Sequence, residues 1–407
     1  TQGVSSAASD VYKRQMKRYQ KSYEGVSLCA PITIPYRRYS PETAHWWAGA
    51  ALKELSLQTN LTANDIDGVI FSSFSSNPDT VVGIVQHLGL SPTWMDNIPT
   101  GGASGVMAIR RAARAVQSGD ANIVVCIAAD TNHIDSFKKT LDTFSRFSQD
   151  ATYPYGQGGP NATFAIMTEY FMRKFNLTRE EFGKIALAQR QNASMNPIAL
   201  MKKPLNMKQY LDAKPIANPL HLFDCVMPCA GAEAFVVTTP EVAEKFNLST
   251  VKVLSTIERH NAFSEDHIQY RGGWVKDIDD LWSSSNYNPS DINFAQVYDD
   301  YPVIVAMQLQ DLGFCENGKI KQFINDTDFT IMGDLPLNTN GGQLSAGQAG
   351  AAGGYQNVTE ALRQCIKQPL GQQIPNSTKG LISGFGMVNY DRGVCTGAAI
   401  IKTDTIR

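Results

Sequence analysis

Thr100-Gly101-Gly102-Ala103-Ser104-Gly105 opens a helical run from Val106 to Val116. Glycines at such a place let the backbone approach another segment closely, and the helix amino terminus behind them offers N–H groups to a carbonyl oxygen or a phosphate. Tight packing of a helix on a sheet needs the same glycines, so both uses stand together. Gly102 itself has no side chain with which to attack a substrate.

Outward from this stretch, short apolar runs alternate with amphipathic ones. The helix ends near Ser118-Gly119-Asp120 and is followed by Ile123-Val124-Val125-Cys126-Ile127-Ala128. Upstream, a helix from Glu42 to Leu57 precedes Gly68-Val69-Ile70-Phe71. Buried strands between helices are the pattern of an α/β sheet.

The same order returns near the carboxyl end. Asp65-Ile66-Asp67 before a strand is echoed by Asp291-Ile292-Asn293 before Phe294-Ala295-Gln296-Val297-Tyr298. Gly341-Gly342 and the small residues 346–354 precede a helix from Tyr355 to Gln364, and Gly380-Leu381-Ile382-Ser383-Gly384 supplies the following strand. The echo predicts two similar α/β halves related by a pseudo-twofold axis, residues 16–245 and 246–407. Between about 130 and 219 the chain is richer in polar residues, proline and aromatics, with Tyr153-Pro154-Tyr155-Gly156-Gln157-Gly158-Gly159-Pro160 at its centre. It reads as an inserted cap or loop region over a site, and turn formers this dense argue against regular structure there. Residues 1–15, polar and ahead of Met16, read as a non-native extension.

The 407 residues suit two domains or one large layered core. A hydrophobic share of 43% with 18% charged residues and a net charge of -2 is ordinary for a globular enzyme and calls for neither nucleic acid nor an acidic membrane surface. Seven cysteines without disulfide or zinc spacing favour a reducing cytoplasm. Cys225 and Cys229 have no histidine at ligand spacing, so no metal is expected, and Cys395 reads as core. His45 and His133 read as structural.

Taken in order, these landmarks resemble the thiolase superfamily, specifically the sterol-carrier-protein-type thiolases and the noncanonical thiolase-like aldolases of steroid side-chain degradation. The resemblance rests on Gly101 to Gly105; on Leu222-Phe223-Asp224-Cys225 followed by Ala230-Gly231-Ala232-Glu233-Ala234; on Tyr298-Asp299 followed by residues 309–315; and on Leu337-Asn338-Thr339-Asn340-Gly341-Gly342. It covers nearly everything after Met16. At the four places where a thiolase carries its nucleophilic cysteine, its Gly-His-Pro histidine, its Asn-Glu-Ala-Phe segment and its late cysteine, this chain has Gly102, Gln348, Tyr298-Asp299-Asp300-Tyr301 and Gly384-Phe385-Gly386.

Tyrosine and aspartate in place of asparagine and glutamate is the pattern of the steroid aldolases, where the resemblance assigns the tyrosine to proton transfer in retro-aldol cleavage of a 3-hydroxyacyl-CoA. That branch carries a second tyrosine or a histidine where Gln348 stands here. The resemblance therefore makes Tyr298, Asp299 and Gln348 the catalytic candidates, and places substrate binding at Gly101, Gly102, Ala103, Ser104, Gly341, Gly342, Gly384 and Gly386. It implies a CoA thioester substrate with no bound cofactor, a homodimer, and a small accessory protein combining an OB-fold with a zinc ribbon. Asp299 and Asp300 would point to opposite faces of a strand, which makes Asp299 the expected orienter of Tyr298. Tyr298 is expected to act as acid and base if neighbours bring its pKa down from about 10. Gln348 can polarise a carbonyl but cannot move a proton at neutral pH. Two other readings stay open: an acyltransferase recruiting Cys225 or Cys395, and a non-catalytic acyl-CoA-binding or lipid-transfer subunit.

Overall fold

A computed structural model describes residues 22–134, 154, 156, 159–389 and 392–404. Nine strands form one mixed sheet: β1 Ser27–Arg37, β2 Gly68–Ser72, β3 Trp94–Asn97, β4 Ile123–Asp130, β5 Ala230–Thr238, β6 Val251–His260, β7 Phe294–Val297, β8 Lys379–Asn389 and β9 Arg392–Thr403. Their spatial order is β3-β2-β4-β5-β1-β6-β9-β8-β7. The principal helices are α1 Ala44–Thr59, α2 Val81–His87, α3 Ser104–Ser118, α4 Pro160–Phe175, α5 Arg179–Ser194, α6 Trp274–Ser285, α7 Pro302–Asp311, α8 Gly342–Ala346 and α9 Ala352–Cys365.

The strand order mirrors itself about the β1–β6 junction. In the first half, β2 pairs parallel with β3 and β4, β4 pairs antiparallel with β5, and β5 with β1. In the second, β7 pairs parallel with β8, β8 antiparallel with β9, and β9 with β6. Leu337 bridges Ala295 in parallel, at the place β3 holds in the first half. Within the sheet, among the described residues, the halves pair through Ser27 with Lys252 and Leu28 with Val251.

α3 and α9 lie between the two halves of the sheet, and one apolar cluster contains residues of both helices and of the inner strand faces. The outer faces carry α1 and α2 on one side and α4 to α7 on the other, which makes five layers. β4 is buried along all eight residues and α9 along all fourteen, the near-continuous burial expected of central elements. The close approach of α3 and α9 depends on glycine, because a Cβ at Gly105 would run into the backbone carbonyl of Gly354.

The cap region departs from the expected loop. From Pro160 onward it is largely helical: α4 starts at a proline in its first turn and ends on Asn176 at φ 56°, and α5 starts with a capping box of Thr178 and Glu181. Most of the turn-dense stretch 153–159, and all of residues 1–15, lie outside the described residues. Among the described residues no helix is long and apolar enough to cross a membrane.

Candidate active site

The loop before α3 is held by its own side chains. Ser104 Oγ donates to the Ile98 carbonyl at 3.1 Å and accepts from the Thr100 amide at 3.2 Å, so Ser104 latches the loop and its hydroxyl is engaged. Gly101 turns the chain at φ 55°. From the second half, β8 lies directly on this loop. A Cβ at Gly384 would stand 2.7 Å from the Gly102 carbonyl oxygen, and one at Gly386 would be 2.9 Å from the Gly102 nitrogen. Gly101, Gly102, Ala103, Gly384 and Gly386 are thus brought together.

Tyr298 leaves the end of β7 and enters the same space. Its amide donates to the Ser383 carbonyl and to Gln308 Oε1, both at 3.2 Å, and its carbonyl accepts from Gln308 Nε2 at 2.6 Å. The buried Gln308 of α7 therefore clamps the backbone. The ring stands where a side chain on Gly102 would begin: a Cβ there would overlap Cε2 and Cζ of Tyr298.

The tyrosine hydroxyl donates to Asp300 Oδ2 at 2.7 Å, and the Gln348 side chain stands near it. Gln348 is itself clipped to the turn at Gly350, accepting from its amide at 3.1 Å and donating to its carbonyl at 3.2 Å. Burial pushes the Tyr298 phenol well above 10, and the charge of Asp300 and its hydrogen bond add to that, while Gln348 opposes. The expected lowering does not occur, because the phenol is desolvated and its nearest charge is negative.

Asp300, and not Asp299, is the partner of Tyr298. Asp299 accepts from the amides of Gln343 at 3.0 Å and Leu344 at 3.1 Å and from Gln343 Nε2 at 3.3 Å. It holds the start of α8, and burial raises its carboxyl to about 7 against those donors. The chain bends after β7 instead of continuing as a strand, so Asp300 folds back two residues onto the phenol. Burial raises Asp300 to about 7 as well, with the Tyr298 hydrogen bond opposing and Asp299 adding. Its other oxygen, Oδ1, is buried with no hydrogen-bond partner.

Gly341 and Gly342 serve this scaffold. A Cβ at Gly341 would press on Ala193 of α5, and one at Gly342 on the Asp299 carboxylate. Sequence reasoning also missed Asp130, at the end of β4. Its Oδ1 accepts from Ser73 Oγ at 2.9 Å and from the amides of Phe74 and Ser75 at 2.9 and 2.7 Å, and its Oδ2 accepts from the Ala351 amide at 2.7 Å. This buried carboxylate ties the two halves together beside the Gln348 turn. A third wall comes from the cap, where Tyr301 donates to Asn161 Oδ1 at 2.6 Å and stacks on Phe164 of α4 with centroids 4.1 Å apart. Cys225 lies near Asp300 and Tyr301, and burial first, then Asp224 and Asp300, push its thiol to about 12.

A family model described as thiolase C-terminal domain-like matches residues 279–396. The chain is 28% identical to the 17-hydroxy-3-oxo-4-pregnene-20-carboxyl-CoA lyase of Mycobacterium tuberculosis, over 78% of this chain and 85% of that protein. It is 28% identical to the steroid side-chain-cleaving aldolase of Thermomonospora curvata, over 80% and 88%, and 24% identical to an acetyl-CoA acetyltransferase of Methanothermobacter thermautotrophicus, over 74% and 79%. A solved structure, that of the Ltp2-ChsH2(DUF35) aldolase, superposes with a TM-score of 0.81 at 26% identity, covering 94% of this chain and 98% of that one. With the mirrored halves, the two facing helices and the glycine loop beneath Tyr298, these likenesses lead to one conclusion: the chain has a thiolase-like fold and is similar in sequence to members of the thiolase superfamily.

Proposed function

We propose that the protein is an aldolase-type lyase that cleaves, and in reverse forms, the carbon–carbon bond β to the carbonyl of a 3-hydroxyacyl-CoA, with no acyl-enzyme. The observation that carries this reading is the exchange at the loop: a neutral phenol backed by a carboxylate fills the space in which a cysteine at position 102 would have stood. A phenol raised by burial is a poor anion but a good relay. The substrate hydroxyl passes its proton to Tyr298 as Tyr298 passes its own to Asp300, and the bond breaks to a carbonyl product and a thioester enolate. Backbone amides at Gly102 and the carboxamide of Gln348 are the donors for the enolate oxygen. Over the cycle one proton moves from the hydroxyl to the α-carbon, so the relay returns to its starting state.

The named relatives favour a steroid side chain as the acyl group. The superposed structure is named as an aldolase together with a DUF35 protein, which supports an accessory partner for this chain too. No cofactor is required by the chemistry. The edge strand β3, with Met95 exposed, supports a homodimer in which that edge is covered. All seven cysteines are free thiols, in keeping with a reducing cytoplasm.

Tyr298→Phe tests the reading. It keeps the ring against Gly102 and removes only the hydroxyl, and acid/base groups typically contribute about 10²–10⁴-fold. C–C cleavage of a 3-hydroxyacyl-CoA should fall at least about a hundredfold while the fold and acyl-CoA binding persist. Full activity in this variant would return the choice to acyltransferase or binding subunit; an equal loss in Tyr301→Phe would show that the whole segment is merely sensitive.

A further inference from the structure

Asp130 closes β4 and turns its two carboxylate oxygens to two different segments. On one side, Ser73 Oγ, the Phe74 amide and both the amide and the hydroxyl of Ser75 converge on Oδ1. On the other, the Ala351 amide at the entry of α9 donates to Oδ2. Burial raises the carboxyl, and these donors oppose that.

Each segment supports one of the donors assigned to the enolate oxygen. The loop after β2 presents Phe74 to the glycine loop, where a Cβ at Gly101 would stand 3.2 Å from Phe74 Cζ. Gly101 directly precedes Gly102, so the Oδ1 side braces the backbone amide. The Ala351 amide follows the residue that the Gln348 carboxamide grips, since Gln348 accepts from the Gly350 amide and donates to its carbonyl. Gly350, at φ 56°, lies against the carboxylate, and a Cβ there would run into Asp130 Oδ2. The Gln348 backbone is paired separately with Met227 and Cys229. What Oδ2 fixes is therefore the direction of the side chain.

Gly102 and Gln348 come from different halves of the chain, and Asp130 is bonded to the support of each. Donors to an oxyanion act only when they are preset around it, and a misplacement of about 1 Å costs about 10²-fold. We propose that Asp130 is a positioning residue that sets the spacing between the Gly102 amide and the Gln348 carboxamide around the thioester carbonyl oxygen. It acts through Phe74 and through the Gly350 turn, without touching the substrate. The inference rests on the donor pair of the proposed function and not on the proton relay through Tyr298.

Asp130→Asn separates the two sides. One oxygen remains for the four donors at Oδ1, while an amide N–H now faces the Ala351 N–H, which releases the Gln348 turn. The test uses the whole protein with acetyl-CoA carrying ¹³C at the carbonyl, whose stretching band is read by difference infrared spectroscopy. In the parent protein the two donors polarise the carbonyl and move the band to lower frequency than in free acetyl-CoA. In Asp130→Asn that displacement shrinks while acetyl-CoA still binds, and Gly350→Ala, which crowds the same oxygen, has the same effect and decides alone if Asp130→Asn fails to fold. With a 3-hydroxyacyl-CoA, kcat falls about a hundredfold, the loss typical of one oxyanion donor, at unchanged KM. Ser72→Ala removes a hydroxyl contact with Tyr355 at 3.3 Å between the same β2 and α9, and leaves both band and kcat as in the parent.

A parent band that coincides with that of free acetyl-CoA, a band unchanged in both Asp130→Asn and Gly350→Ala, or an equal effect from Ser72→Ala overturns the proposal. Tyr298→Phe keeps the displaced band. A band that depends on Asp130 in a protein that cleaves no 3-hydroxyacyl-CoA would uphold the positioning role and remove the proposed function instead.

Discussion

Gly102 and Tyr298 share one space: the ring carbons of the tyrosine stand where the first side-chain atom of residue 102 would be, and the Phe385 carbonyl closes the other side. One residue comes from each half of the chain. The pair is mutually exclusive with a nucleophile on the loop, because a thiol at 102 and a phenol at 298 cannot both be accommodated.

Gly102→Ala and Gly102→Cys should therefore both displace the ring. Overpacking of this kind costs about 1–3 kcal/mol, visible as a lower denaturation midpoint, and C–C cleavage should fall by about a hundredfold or more as the phenol loses its position. Gly102→Cys should yield no thiolase, since Gln348 cannot activate the thiol. Robust acyl transfer onto residue 102 in that single variant would overturn the proposed division of roles.

Asp300→Asn should remove the proton acceptor behind Tyr298 while keeping a hydrogen bond to it. Because the Asp300 carboxyl is raised to about 7, it is protonated and idle in acid and becomes a base as pH rises. kcat for cleavage should climb through neutrality in the parent enzyme, and that limb should vanish in Asp300→Asn. A flat parent profile between about pH 5 and pH 9 would exclude Asp300 as the base.

Asp299→Ala should act on stability. It strips the acceptor from the buried amides of Gln343 and Leu344, and each unsatisfied group costs about 1–3 kcal/mol. The denaturation midpoint should drop by the equivalent of about 3 kcal/mol, with turnover per folded molecule falling less than in Asp300→Asn. An Asp299→Asn variant of unchanged stability and no activity would reverse the roles given to the two aspartates.

Iodoacetamide at pH 7 should leave C–C cleavage essentially intact. Cys225, the thiol beside Asp300, is pushed to about 12, leaving about 10⁻⁵ of it as thiolate at that pH. Turnover lost in step with labelling of one cysteine would point to covalent catalysis instead.

The duplicated architecture was legible because its punctuation is local. Asp65 and Asp291 each close a capping box with the residue three before, Thr62 and Asn288, and each precedes a buried strand. Close backbone approach at Gly102 was legible from the glycine-rich helix entry around it, whereas Gly384 and Gly386 were marked only by the resemblance. The Tyr298–Asp300 bond was not, because alternation along a strand assigns the two aspartates to opposite faces and holds only while the strand continues; here it stops at Val297. A proton acceptor two residues beyond a tyrosine is visible only once the bend is known. Asp130 escaped notice because nothing in Ala128-Ala129-Asp130 tells that its carboxylate will meet Ser73, Ser75 and Ala351 from distant parts of the chain. The helical cap was obscured by the glycines and prolines that immediately precede α4.

The contact of Gly105 with the Gly354 carbonyl has a bearing on how the molecule comes apart. Where two helices touch backbone to backbone, with close-packed apolar side chains around the contact, the halves cannot loosen against each other by degrees. Opening that seam exposes the inner faces of both at once, and the amides of α3 and α9 should exchange with solvent only through an event close to global unfolding. A chain of two look-alike halves is in this way made to melt as a single cooperative body.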